Sequence, residues 1–95
     1  MSAHGSTVDP QTLDAALPSV EMLASDTIAR FCLAAHAYLS DEEGKQPALD
    51  DAGIAIDVAS SAFERVKERL RPEERLAQTQ LLTETRMTFV KKRGL

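Results

Sequence analysis

Tryptophan is absent from the 95 residues, and the aromatic side chains are three phenylalanines and one tyrosine. That scarcity excludes a core built on large rings, and with it the stacking platforms that hold single-stranded nucleic acid. One cysteine, Cys32, excludes an internal disulfide and a multi-cysteine metal site. It reads as a reduced thiol in a cytoplasmic protein. No apolar run approaches the roughly 20 residues of a membrane span. Residues 1–10 lack the cationic start and apolar stretch of a signal peptide. There is no glycine-rich phosphate loop, no strand-like alternation and no internal repeat.

What the chain does have is alanine. Hydrophobic residues make up 43% of it, and 14 of them are alanine. Ninety-five residues are room for one domain, and a domain this small buries a modest share of its surface. Thin side chains reduce the apolar area buried per residue still further. The expectation is a homo-oligomer, with a second copy completing the core. The net charge of −4 is unevenly placed: residues 1–60 carry ten acids and two bases, residues 61–95 five acids and nine bases. Two causes suit that split: attraction between unlike halves, and acids at helix starts with bases at helix ends.

The expected fold is all-α, a three-helix up-down-up bundle, led by a short helix and completed by homo-oligomerisation. Residues 1–8 read as a disordered tail and 9–95 as a single helical domain. Asp9-Pro10 opens the short leading helix, which Pro18 interrupts after Leu17. Helix 1 spans about Pro18 to Ser40. Its stripe is Val20, Ala24, Thr27, Phe31, Ala34 and Tyr38, widened by Leu23, Ile28, Cys32, Ala35 and Leu39. Met22, Ala29, Leu33 and Ala37 make the far side weakly polar too, as on a helix with more than one neighbour. Residues 40–47 form a loop around Gly44 and Pro47.

Helix 2 spans about Asp50 to Arg71 and carries the cleanest pattern. Leu49, Ala52, Ile56, Ala59, Phe63, Val66 and Leu70 recur at alternating steps of three and four, a coiled-coil-like seam. Pro72 ends it. Helix 3 begins with Glu73 and Glu74 and ends with Lys91-Lys92-Arg93 before Gly94, a matched pair of start and stop signals. Its expected core is Leu76, Gln80, Thr83, Met87 and Val90, with Leu82 and Phe89 beside it. Phe31, Leu49, Ile56, Phe63, Val66, Leu70, Met87 and Val90 are therefore the expected core and interaction residues.

Chemistry-bearing candidates are few. His36 is the one histidine inside a helix and the candidate for a phosphotransfer domain. Such domains place a lysine and a small residue that leaves space for the donor close by, and here no lysine or glycine follows before Gly44 and Lys45. If Met1 is removed, Ser2-Ala3-His4 offers four nitrogens in a plane to Cu(II) or Ni(II), as any chain with a third-position histidine does. Arg65, Lys67, Arg69, Arg71 and Arg75, with the Lys91 run, suggest a nucleic-acid accessory protein. The interspersed Glu64, Glu68, Glu73 and Glu74 and the overall acidity argue against it. The acidic clusters at 41–43 and 50–51 lack the ligand order of a calcium loop. No nucleophile stands at readable spacing from a base, so the chain reads as non-enzymatic, without cofactor or metal.

Three stretches together resemble a known family. They are the alanine-rich helix through Phe31, Ala34, Ala35 and Leu39; Leu49, Ala52 and Ile56-Asp57; and Pro72-Glu73-Glu74 followed by Leu81-Leu82, Arg86-Met87 and Phe89-Val90. In this order they resemble the bacterial family called domain of unknown function 1844, over residues 20–92. Thr85 departs from the family's leucine, Ser40 from its glycine and Pro72 from its threonine. The resemblance implies a small helical bacterial protein and supplies no activity or site residue. The functional expectation is an interaction module that self-associates through an apolar helix face.

Overall fold

The computed structural model describes residues 17–94. The tail, His4 and the leading helix fall outside them, except Leu17, which stands in a bend. Three helices follow in order: α1 (Val20–Leu39), α2 (Leu49–Val66) and α3 (Pro72–Arg93). The all-α three-helix expectation holds.

Helix ends follow local chemistry. α1 begins two residues after Pro18, because the Ser19 hydroxyl accepts the Met22 N–H at 3.1 Å and caps it. The link to α2 contains a 3₁₀ turn (Glu42–Gly44), and Gly44 takes φ 79°, where a side chain would be strained. The Ala48 N–H then donates to Tyr38 O at 2.7 Å and closes the hairpin. α2 is shorter than expected. It gives way after Val66 to a 3₁₀ turn over Lys67–Arg69. Arg75, from the first turns of α3, donates to the carbonyls of Lys67 (2.9 Å) and Leu70 (3.2 Å). One guanidinium thus occupies carbonyls at the end of α2 and pins α3 beside it. Pro72 sits in the first turn of α3, and Glu74 accepts the Arg71 N–H at 3.2 Å.

The direction of each helix is fixed by its side-chain links. Ser25, His36 and Asp41 meet Gln78, Thr85 and Lys92 in the same order, so α1 and α3 run parallel. α2 runs antiparallel to both: Ser60 meets Arg86, and Gly53 lies under the Phe89 ring. The main core joins Ile28 and Cys32 of α1 to Ala59, Phe63 and Val66 of α2, Leu70, and Leu82 of α3. A second cluster joins Ala35, Ala55 and Ile56, with Phe31 and Phe89 packed on it.

The α2 seam is as expected, with Ile56, Phe63, Val66 and Leu70 buried and Leu49 half-buried. The other two helices are rotated from expectation. On α1 the fully buried residues are Ile28, Cys32, Ala35 and Leu39, while Val20 and Tyr38 stay exposed. On α3, Met87 (64% exposed) and Val90 (52%) are not core residues, and Leu76 is exposed too. The buried side of α3 carries Gln78, Leu81, Leu82, Thr85 and Phe89. Both α3 stripes have the 3-4 spacing and both mix apolar with polar side chains. The observed rotation packs Leu82 into the main core and Phe89 onto the second cluster. Rotation toward them also brings Arg75 and Lys92 to their partners.

Electrostatics close the two ends of the bundle. Arg69 pairs with Glu21 at 2.7 Å at one end, and Lys92 with Asp41 at 2.9 Å at the other. Each joins the acidic part of the chain to the basic part. Both expected causes of the uneven charge therefore operate, since Asp50, Asp51, Glu73 and Glu74 also occupy first helical turns.

Phe63 is the one aromatic side chain buried in the main core cluster, and its seam neighbours Ala59 and Val66 are too small to replace it. Phe63→Ala should lower stability by about 3–5 kcal/mol, most of what a domain of this size has. Val58→Ala, on the outer side of α2, should lower it by about 1 kcal/mol or less. Circular dichroism melts of the two variants check the order.

Acid should weaken the helix ends. Lys92 holds the Asp41 carboxyl below the usual carboxylate range through its hydrogen bond and charge. The Arg71 N–H, then its guanidinium, do the same for Glu74. A carboxyl depressed in the folded state adds stability above its unfolded value, near 4, and loses it as pH falls through the folded value. Melting temperature should therefore fall as pH drops below about 4. Asp41→Asn with Glu74→Gln should flatten part of that decline.

Candidate functional site

Three outward grooves run along a three-helix bundle, and their chemistry here differs. The side chains that meet α3 mark one flank of α1: Ser25 Oγ accepts from Gln78 Nε2 at 2.6 Å, and His36 lies against Thr85. At about 100° per residue, these stand roughly 60° and 80° to one side of Ile28. On the opposite flank lie Val20, Leu23, Thr27, Phe31, Ala34 and Tyr38, with no charged residue among them. Leu23 is 49% and Tyr38 41% exposed, and Thr27, Phe31 and Ala34 are half-buried. α2 continues the surface with Ala62, Val58 and Ile54, the last 61% exposed.

The result is an apolar face across the α1–α2 hairpin, on the side away from α3. Its central strip is uncharged; the exposed Asp26–Arg30 pair lies behind it on α1. The stripe read from the sequence as the core of helix 1 is largely this face. Of the expected interaction residues, Phe31 links core and face, while Met87 and Val90 lie on α3, away from it.

The groove between α1 and α3 is mixed in character. His36, Glu84, Met87, Thr88 and Lys91 line a shallow hollow there. Tertiary structure thus supplies His36 with the lysine that its own helix lacks, but also with an acid. Thr85 is fully buried, and its hydroxyl donates to Leu81 O at 2.8 Å. Thr85 Oγ1 lies 3.2 Å from His36 Nε2, and with its own hydrogen on Leu81 O it has lone pairs free to accept there. Cys32 is buried beside them, and burial pushes its thiol up despite hydrogen bonding to Thr85. Buried and mostly protonated, it is a poor nucleophile.

Four of the nine bases of the C-terminal half are held in ion pairs. Lys67 pairs with Glu64, Arg69 with Glu21, Arg71 with Glu73 and Glu74, and Lys92 with Asp41. Among the described residues no group of three or more metal-ligating side chains is present. Among those residues, too, no helix is long and apolar enough to cross a membrane.

His36→Ala should leave fold and assembly nearly unchanged, with a loss below about 1 kcal/mol, because Thr85 keeps its bond to Leu81. A thermal melt and a sedimentation profile check both. Acid-labile phosphate on His36 after incubation with a histidine kinase would contradict this structural role.

Comparison of the chain with family models, with curated proteins and with solved structures gives no match.

Proposed function

We propose that this protein is a non-catalytic interaction module that self-associates through the apolar face of its α1–α2 hairpin. The observation that carries the reading is the continuous uncharged strip from Leu23 to Tyr38, flanked by Val58 and Ile54. Apolar surface that a monomer leaves open is the surface association removes from water. The alanine-rich seam adds to this, because small side chains bring α1 and α2 together as a flat layer rather than around a thick core. For catalysis, the hydroxyl bonded to His36, that of Thr85, has its hydrogen on Leu81 O, so the imidazole does not activate it. The resemblance to domain of unknown function 1844 adds the expectation of a bacterial source, and the free Cys32 that of the cytoplasm.

Sedimentation equilibrium tests the reading. The expected mass at micromolar concentration is twice the chain's 10.4 kDa. Leu23→Lys with Thr27→Lys should return it to a single chain while helix content stays constant. A wild-type monomer with a cooperative melt overturns the proposal.

A further inference from the structure

The outward stripe of α2 reads Asp51, Ile54, Val58, Ser61 and Arg65, at steps of three, four, three and four. Its ends carry opposite charge, its middle carries none, and Val58 stands midway. Among the described residues neither Asp51 nor Arg65 has an ion-pair partner, unlike Lys67, Arg69, Arg71 and Lys92. Reversed end for end about Val58, its charged ends exchange: Asp51 falls on Arg65 and Val58 on itself, while Ile54 falls on Ala62 and Ser61 on the buried Ala55.

The neighbouring stripe on α1 has the same property in shape. Thr27, Phe31, Ala34 and Tyr38 are spaced four, three and four, symmetrically about the turn between Phe31 and Ala34. Reversed, the large Tyr38 falls on the small Thr27, and Phe31 on Ala34. The two centres also lie level. The clusters set Ala35 beside Ala55 and Ile56, and Ile28 and Cys32 beside Ala59 and Phe63, which puts Val58 opposite that turn of α1.

From this coincidence, and resting on the self-association reading above, we propose that a second copy of this chain covers the face. The pair has a two-fold axis that crosses the hairpin at Val58. Each α2 then lies antiparallel to its counterpart, with Asp51 against the partner's Arg65 at both ends and Val58 against the partner's Val58. An isologous contact requires such self-complementarity. The alternative two-fold, parallel to the helices, stacks α1 on α2 and leaves both charges unpaired. A strip about 30 Å long and about 18 Å wide offers roughly 500 Å² per copy, and two copies reach the area of a small specific interface.

A charge-exchange experiment on the full chain tests the geometry. Asp51→Lys and Arg65→Glu each set like charges against each other at both ends. Each alone should weaken the dimer about tenfold in sedimentation velocity. An equimolar mixture of the two variants should associate within about twofold of wild type, because every contact across the mixed pair is again opposite in sign. Circular dichroism of each variant alone verifies that the monomer remains folded. Val58→Cys should give a disulfide-linked dimer on mild oxidation, whereas Ser61→Cys, off the axis, should not. A dimer that ignores both charge reversals, or a mixture no stronger than its components, overturns this arrangement and leaves self-association standing. A wild-type monomer overturns both.

Discussion

α1 and α2 touch through small side chains, and the rest of the molecule follows from that contact. Cys32, Ala35, Ala52, Ala55 and Ala59 are buried almost completely, so the two helices approach closely along one seam. Close approach packs well but encloses little. The larger apolar residues inside it are Ile28, Leu39, Ile56, Phe63, Val66, Leu70 and, from α3, Leu82. Leu23, Tyr38 and Ile54 lie outside, on a surface that the hairpin cannot fold over itself. The thin core and the exposed apolar face are two consequences of one alanine-rich interface.

α3 is held on different terms. Its inner side carries Gln78 and Thr85 as well as Leu82 and Phe89, and polar links bind it to both other helices. Ser25–Gln78 and His36–Thr85 join it to α1, and Ser60–Arg86 joins it to α2. Arg75 fastens its first turns to the end of α2. Directional bonds of this kind set register and rotation more than they add stability. Thr85 is fully buried and bonds both His36 and its own helix, whereas Gln78 Oε1 is buried without a hydrogen-bond partner.

The charge distribution is absorbed in the same economical way. An acidic first part and a basic last part look, in one dimension, like an invitation to nucleic acid or to a distant partner. In three dimensions Glu21–Arg69 and Asp41–Lys92 connect those parts at opposite ends of the bundle. Such exposed pairs contribute little individually; they form where the parallel run of α1 and α3 brings the two parts together. Asp51 and Arg65 stand apart from this pairing, on the face that the hairpin leaves open.

The sequence by itself determined the helices, their order and the α2 seam. The seam was legible because Leu49 to Leu70 repeats every three or four residues without interruption, and no other phase of that helix is as apolar. Helix ends were legible where one residue decides them, as Pro72 does for α3. Rotation of α1 and α3 was decided only by tertiary structure. α1 is apolar on both flanks, so its own pattern does not say which flank meets α2 and which meets solvent. The two stripes of α3 differ little in polarity, and contact with Leu82, Phe89 and Arg75 selected between them, turning Met87 and Val90 outward. The face was in view in the sequence as Val20 to Tyr38, but periodicity measures where apolar residues gather on one helix, not whether another helix covers them.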